Sequence, residues 1–443
     1  MIYGKLKERI INSPKKYLIL GGILFVIVAL CAGLALRHFY FGNNVAQIAA
    51  EKPRDTYIAF VAEIYDKIKE NYWEQTPDDQ LSLLYKLAAE KITGKPQILD
   101  PKNKTGVSLM TEEIIKEMDA QKKKEFVVNL SDMVLANLKP FGRNHLLTTA
   151  SQKELLNEVN NIDPNANLYA ALGVPKDASQ KEINSVYQKK TEELKKENTP
   201  SSQQQLAQIE RAYQTLSDQK SRQIYDASGA ETTVVWQVIK PNIFYIRITR
   251  ISPATIDEFK RAADKASETK GLNALILDLR GNIGGAVDIM PYFLGPFIGY
   301  NQTAYEFFHQ GQYLPFRTQT GWLDSLVRYK KVVVLIDGQT QSSAEVMAAT
   351  LKKYNVGVLV GTPTKGWGTI EGIYNIENQI DINEKFSALL VNSLTLRDDN
   401  NPIEGKGVDP AIYITDPKWP DQLFEYFESK SLIQAVKEIV NSK

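Results

Sequence analysis

Two adjacent serines and a lysine in the second half of the chain have the types and spacing that could support chemistry. Ser342 and Ser343 lie between a buried, strand-like run and a helical pattern at 344–354. A serine at such a junction lies where the helix dipole and free N–H groups stabilise negative charge. Lys365 follows in the glycine-rich stretch 361–368. A lysine kept from water by apolar neighbours can act as the base that a serine nucleophile requires. The pattern predicts acyl transfer through a Ser–Lys pair.

A glycine-rich turn precedes these serines in the chain. Residues 278–285 read DLRGNIGG and follow the apolar run 274–277, which predicts a buried strand that ends in a turn. Gly284 and Gly285 carry no side chains, so the backbone can approach a ligand closely and leave amide N–H groups free to face an anion.

Each of these features also has a purely structural interpretation. Ser342 and Glu345 have the spacing of a capping box, which would only start a helix. The glycine run could be an ordinary turn, and Lys365 a solvated loop lysine. His309 is the one histidine of this region, and a Ser–His pair through it is a further alternative.

The order of the motifs favours the chemical interpretation. Residues 234–414 resemble the C-terminal processing (tail-specific) peptidase family, through DLRGNIGG, the serine motif QTQSSAE and the segment IEGKGVDP at 403–410. The resemblance implies a serine endopeptidase with Ser342 as nucleophile. It also implies an oxyanion hole formed by the amide of Ser343 and by the turn at Gly284 and Gly285, with no metal or organic cofactor.

The lysine loop departs from the family pattern. Aligned with the family's GxxTxGKG, the loop reads GTPTKGWG, so Trp367 holds the lysine position and Lys365 lies two residues earlier. In an extended segment the two side chains project to the same side, about 6–7 Å apart. Either the Lys365 side chain reaches Ser342 from this displaced backbone position, or Trp367 fills the pocket of the base and the protein is inactive. Glu371 holds the place of a polar residue that orients the lysine, but a carboxylate there would keep a lysine charged.

A second departure lies at 163–229, where family members usually carry a PDZ domain. The segment resembles a J-domain through LYAALGV at 168–174, AYQTLSD at 212–218 and the pair Tyr225-Asp226. The HPD tripeptide with which J-domains stimulate Hsp70 is replaced by Lys195-Lys196-Glu197. We therefore favour a helical spacer, or an adaptor that binds a protein partner, over an Hsp70 co-chaperone.

The composition of the 443-residue chain excludes several classes of function. Lysine and arginine number 53 against 52 aspartates and glutamates, so nothing in the charge indicates a nucleic-acid partner. One cysteine and three scattered histidines indicate neither disulfides nor a metal site. Whether copies of the chain form a homo-oligomer is left open.

The N-terminal region predicts a membrane anchor. The predicted anchor is 17–40, of which residues 17–36 carry no charge and have about the length of a bilayer-spanning helix; the basic segment 1–16 precedes it. Basic residues favour the cytoplasmic side, so the sequence predicts a single-pass protein of the cell membrane. Its N-terminus would be cytoplasmic and its catalytic region extracytoplasmic. The alternative is a cleaved signal peptide, since 46–50 read AQIAA.

The remaining pattern predicts the domain organisation. A helical region at 51–160 precedes the J-like module at 163–229, and strands alternate with helices from 234 to 418 before a C-terminal helix at 419–443. Alternating strands and helices indicate an α/β core. We expect a membrane-anchored serine endopeptidase acting on extracytoplasmic proteins or peptides. The rival hypothesis is a peptidase-like protein that binds peptides without cleaving them.

Overall fold

The computed structural model describes residues 55–197, 199–397 and 399–441. The predicted cytoplasmic segment 1–16 and anchor 17–40 lie outside these residues. Within the described ranges, no helix has the length and apolar character to cross a bilayer.

Four helices open the described chain and bury one apolar face each. They are α1 (Thr56–Asn71), α2 (Asp78–Thr93), α3 (Lys104–Ile115) and α4 (Ala120–Ala136). The side chains of Asn103 and Asp119 accept hydrogen bonds from the first turns of α3 and α4, which fixes where these helices begin. One apolar face of α1 is buried, with Phe60, Val61 and Ile64 in the core.

These helices share their core with an antiparallel sheet, although the sequence predicted a separate helical region. The sheet has the order β1-β10-β5-β6, with β9 also paired to β10. Its strands are β1 (His145–Thr148), β5 (Thr303–His309), β6 (Gln312–Arg317), β9 (Thr369–Asn375) and β10 (Phe386–Leu396). The rings of Phe60 and Phe386 lie 5.8 Å apart across this core. The helical region and the C-terminal half therefore fold around common side chains.

The segment after α5 (Thr149–Val159) forms a helical module with its own small core. Its helices are α6 (Leu168–Leu172), α7 (Gln180–Glu197), α8 (Pro200–Leu216) and α9 (Gln219–Ser228). Arg211 ties the module to the chain that follows it. Its guanidinium bonds the nearly buried Glu231 at 2.6 Å and Asp163 at 3.0 Å.

A six-stranded sheet forms the centre of the C-terminal half, in the order β11-β8-β7-β4-β3-β2. Its strands are β2 (Val234–Ile239), β3 (Ile243–Ile248), β4 (Ala274–Asp278), β7 (Lys331–Ile336), β8 (Val358–Gly361) and β11 (Ile412–Tyr413). All neighbours are parallel except β2 and β3. The strand predicted at 274–277 (β4), the strand-like run before Ser342 (β7) and the α/β alternation are confirmed.

Helices cover both faces of this sheet. One face packs on α10 (Thr255–Ser267), α11 (Met290–Ile298) and α13 (Ser343–Lys353), while a short helix α12 (Asp324–Val327) precedes β7. The other face packs on α14 (Trp419–Phe427) and α15 (Lys430–Asn441). The single C-terminal helix predicted at 419–443 was wrong, because Glu428 adopts a left-handed conformation (φ 48°) that ends α14.

Candidate active site

The parallel pairing of β4 with β7 places the glycine turn beside the serine loop. Asp278 and Leu335 are register partners at the ends of these strands. Three hydrogen bonds then join the two loops: Gly281 N–H to Asp337 Oδ1 at 3.0 Å, Thr340 Oγ1–H to the Leu279 carbonyl at 2.9 Å, and Gln341 N–H to the Asn282 carbonyl at 2.9 Å. The sheet therefore brings together the two motifs that the sequence separates.

The buried Asp278 carboxylate fixes the start of the glycine turn. The guanidinium of Arg280 donates to both of its oxygens, at 2.9 and 2.8 Å, and Tyr245 donates its hydroxyl hydrogen at 2.9 Å. Because the charge is paired and hydrogen-bonded, this buried carboxylate acts as a structural anchor.

Ser342 forms a tight elbow between β7 and α13. Its backbone has φ 56° and ψ −130°, a conformation that non-glycine residues seldom adopt. The hydroxyl makes no capping hydrogen bond, whereas the Ser342 N–H donates to Glu345 Oε2 at 3.0 Å. The capping box predicted here is thus realised through the glutamate, and the partly exposed serine hydroxyl is not engaged in starting the helix.

Gly284 is required for the elbow to form. A Cβ atom at this position would lie 2.7 Å from Ser342 Cβ and 2.8 Å from the Gln341 carbonyl oxygen. Its φ of +86° is also unfavourable for any other residue. The close approach places the glycine turn directly against Ser342.

Of the three N–H groups predicted as oxyanion donors, one already has a hydrogen-bond acceptor and two do not. The N–H of Gly284 donates to Asn282 Oδ1 at 2.8 Å, so this N–H already has an acceptor. The N–H groups of Gly285 and Ser343 have no acceptor among the described residues. Ser343 Oγ–H donates to the Gly285 carbonyl at 3.2 Å, which holds these two residues together. The arrangement offers two amide donors next to Ser342.

Glu345 links the serine elbow to the lysine loop, a role that sequence reasoning missed. Its buried carboxylate accepts hydrogen bonds from Ser342 N–H, from the Thr364 hydroxyl, and from the N–H groups of Gly366 and Trp367, both at 2.8 Å. Burial raises the pKa of Glu345, and these four donors oppose that shift. The i+3 spacing indicated the contact with Ser342, but nothing in the sequence indicated contacts about twenty residues away.

Lys365 lacks the burial that the prediction required. Its N–H donates to the Thr340 carbonyl at 2.9 Å, which places its backbone beside the serine loop. Its side chain, however, is exposed to solvent. A lysine serves as a base only where its surroundings favour the neutral amine, so the expected desolvation of Lys365 is wrong for this arrangement.

Trp367 occupies the position that the family pattern gives to lysine. Its indole Nε1–H donates to Glu371 Oε1 at 3.2 Å, and the guanidinium carbon of Arg143 lies 3.2 Å from the centre of its ring system. Arg143 in turn pairs with Glu404 at 3.1 Å. No sequence signal indicated Arg143, because it comes from the loop between α4 and β1.

The Glu371 carboxylate accepts a hydrogen bond from Trp367, whereas the family resemblance implied that it orients a lysine. Its carboxylate also accepts the hydroxyl hydrogen of Thr369. Burial raises the pKa of this carboxyl, while the two hydrogen bonds and the charge of Arg143 act in the opposite direction.

His309 is engaged elsewhere. Its Nδ1 lies 2.6 Å from the Asn392 carbonyl oxygen, a hydrogen bond between β5 and β10. Within the described part of the chain it makes no hydrogen bond to Ser342, so the Ser–His alternative gains no support. No cluster of three or more metal-ligating side chains is found among the described residues.

Comparison with known proteins assigns the fold that carries this site. The family model described as peptidase family S41 matches residues 242–414. Residues 242–414 form an S41 peptidase domain. A second model, described as a DnaJ domain, matches residues 167–226. Both resemblances expected from the sequence are confirmed.

The S41 domain also accounts for the similarity to curated proteins. The carboxy-terminal processing protease CtpA of Bacillus subtilis is 29% identical over 184 residues, covering 41% of this chain and 36% of that protein. The carboxy-terminal-processing protease of Bartonella bacilliformis is 24% identical over 183 residues, 40% of each chain. The chain thus aligns with roughly 35–40% of the length of these relatives. A solved photosystem II D1 C-terminal processing protease aligns with a TM-score of 0.47 at 12% identity, over 82% of this chain and 94% of that one.

Proposed function

We propose that the S41 domain binds polypeptides at the Ser342 site without cleaving them at the rate of a Ser–Lys peptidase. The observation that carries this proposal is the cluster of Trp367, Glu371 and Arg143 at the position of the family lysine. A serine hydroxyl is a weak nucleophile until a base takes its proton. Neither the indole nor the guanidinium can take it.

Binding remains supported although the base is absent. The N–H groups of Gly285 and Ser343 are available to a carbonyl oxygen beside Ser342. Such donors act on the carbonyl of a bound peptide whether or not an acyl transfer follows. The domain would therefore hold a peptide bond in the geometry of a substrate.

A second candidate is a Ser–Lys endopeptidase that uses Lys365. The hydrogen bond from Lys365 N–H to the Thr340 carbonyl favours it, because the lysine backbone lies beside the loop that carries Ser342. A bound polypeptide could exclude water from the Lys365 side chain and so favour the neutral amine.

One experiment separates these candidates. The full-length chain in detergent micelles is incubated with fluorescein-labelled, unfolded casein, and cleavage is compared for wild type, Ser342→Ala, Lys365→Ala and the double variant Trp367→Lys/Glu371→Gln. The proposal predicts no Ser342-dependent cleavage by wild type and a gain of cleavage in the double variant. Trp367→Lys alone is the matched control, since Glu371 would hold the new lysine charged.

If wild type cleaves casein and both Ser342→Ala and Lys365→Ala lose this cleavage, the proposal is wrong and the protein is the Ser–Lys endopeptidase. Binding of the same casein, measured by fluorescence anisotropy, is expected for wild type. Its absence would contradict the binding function itself.

We further propose that residues 17–40 anchor the chain in the cell membrane, with the S41 and DnaJ domains on the extracytoplasmic side. The basic residues of 1–16 support this orientation. Protease added to intact cells should then digest the region from 168 onward. Digestion only after the membrane is permeabilised would contradict the orientation.

For the DnaJ domain we propose an adaptor that binds a protein partner. Lys195, Lys196 and Glu197 belong to α7 and replace the tripeptide that acts on Hsp70. The full chain is therefore expected not to raise the ATPase rate of an Hsp70, and an increase would contradict the adaptor proposal.

A further inference from the structure

A cleft of about 810 Å³ lies between the DnaJ domain and one edge of the six-stranded sheet. Tyr187, Tyr213 and Asp218 line the DnaJ side, while Trp236 of β2 and Arg261 of α10 line the other. Its volume is within the range of ligand sites in proteins. None of its lining residues belongs to the Ser342 site, so this cleft is a separate feature.

The edge strand β2 presents unpaired backbone groups to this cleft. β2 is paired only with β3 and ends the sheet. Thr249 N–H donates to the Thr233 carbonyl at 2.8 Å, which shows which residue pairs of β2 and β3 are hydrogen-bonded to each other. Since hydrogen-bonded and non-hydrogen-bonded pairs alternate, the N–H and C=O groups of Trp236 and Val238 face away from β3. Such an edge is a template for an added strand.

The side chains around the edge suit the alternating side chains of an extended peptide. Trp236 is 38% exposed, and its ring lies 6.1 Å from that of Phe244. On the opposite wall, Tyr187 and Tyr213 stack with their ring centres 3.7 Å apart. These aromatic rings provide rigid contact area on both sides of the edge.

The charge of the cleft favours a basic occupant. Two basic side chains line it, and both are already paired: Arg261 with Asp218 at 3.2 Å and Lys265 with Glu268 at 2.7 Å. The exposed Asp264 makes no ion pair among the described residues, and its carboxylate accepts the hydroxyl hydrogen of Ser325 at 3.1 Å. The lining therefore carries an excess of negative charge.

We propose that this cleft binds an extended polypeptide segment carrying lysine or arginine, which adds to β2 as a further strand of the sheet. The added strand would take its main-chain hydrogen bonds from Trp236 and Val238 and place a basic side chain against Asp264. The site gives the chain a second polypeptide contact, independent of the Ser342 site.

The test uses the full-length chain in detergent micelles and a fluorescein-labelled ten-residue peptide of alternating valine and lysine. A peptide of alternating valine and glutamate is the charge control. Fluorescence anisotropy is measured for wild type, Trp236→Pro and Asp264→Lys. Proline removes the outward N–H of Trp236 without touching the bonds to β3, and lysine at 264 reverses the charge of an exposed residue.

The proposal expects the valine–lysine peptide to bind wild type and to bind each variant about tenfold more weakly, the effect of about one lost hydrogen bond or charge contact. Trp322→Ala and Glu425→Lys change an exposed tryptophan and an exposed glutamate outside the cleft and should leave the affinity unchanged. Asp264 lies outside the Ser342 site, so weaker binding in Asp264→Lys separates this result from that site.

Three results would overturn the proposal: no binding of the valine–lysine peptide to wild type, equal affinity for the valine–glutamate peptide, or wild-type affinity in Asp264→Lys. Because Asp264 is exposed, its substitution tests the charge contact even if Trp236→Pro fails to fold.

Discussion

The indole N–H of Trp367 donates to Glu371 at 3.2 Å, and this pair stands where the S41 pattern has a lysine and its polar partner. The pair keeps a hydrogen bond across the same two positions but lacks the lysine amine that could act as the base of the serine. Arg143 covers the indole from the other side. The loop that would supply the base is thereby stabilised by a different set of contacts.

The raised pKa of Glu371 predicts how its replacement changes stability with pH. The folded state keeps this proton to a higher pH than the unfolded chain does, because burial disfavours the carboxylate. As pH rises through the ordinary pKa of glutamate towards the raised value, the folded state loses stability relative to the unfolded state. Glu371→Gln can still accept from Trp367 and Thr369 but has no proton to lose. Its free energy of unfolding should therefore increase relative to wild type as pH rises above the ordinary pKa of glutamate.

Urea unfolding at several pH values measures this difference, with the exposed Glu425→Gln as control. The raised pKa of Glu371 would be contradicted if the difference in free energy of unfolding between Glu371→Gln and wild type stayed constant or shrank as pH rises.

The stacking of Arg143 on Trp367 predicts a stability loss on truncation. Arg143→Ala removes the cation–π contact and leaves the mostly buried Glu404 carboxylate without its ion-pair partner. We expect a decrease of about 2–3 kcal/mol in the free energy of unfolding. Lys265→Ala removes an exposed ion pair and should cost less than about 1 kcal/mol. Equal effects of the two substitutions in denaturant unfolding would show that the Arg143 contacts do not stabilise the loop.

Alanine substitutions at two glycines with similar backbone angles distinguish the cost of backbone strain from the cost of a steric clash. Gly284 has φ +86° and Gly271 has φ +83°, but only at Gly284 would a Cβ atom meet other atoms, at 2.7 Å from Ser342 Cβ. Gly271→Ala should cost about 1–2 kcal/mol from the backbone angle alone. Gly284→Ala should cost about 1–3 kcal/mol more, because the turn must also move away from the elbow. Similar melting temperatures for the two variants would be inconsistent with the close approach at Ser342.

The contact of Arg211 with Glu231 predicts that the DnaJ domain is fixed to the chain segment just before β2. Arg211→Ala would leave the carboxylate of Glu231, which is 6% exposed, without its bidentate partner. The expected loss is about 3 kcal/mol, together with faster proteolysis between 226 and 234. Lys220→Ala removes the exposed pair with Asp257 and is the matched control. Unchanged proteolysis in Arg211→Ala would contradict a fixed junction.

The sequence predicted those parts of the fold whose signals are local. Continuous apolar runs predicted β4 and β7, and the glycines at 284 and 285 predicted a turn whose backbone can approach a ligand. The antiparallel sheet was missed, because β1 is only four residues long and pairs with β10 far along the chain, and β6 is largely exposed. Lys365 and Trp367 could be named from the motif, but the surroundings of their loop depend on contacts of Arg143, Glu345 and Glu371, which arise only in the folded chain.

The most direct test of the central claim is whether wild-type protein cleaves a bound polypeptide. Full-length wild type and Ser342→Ala are incubated with unfolded casein for a day, and the products are identified by mass spectrometry. The absence of a base at Trp367 predicts identical product lists for the two proteins. Casein fragments formed by wild type and missing with Ser342→Ala would contradict it.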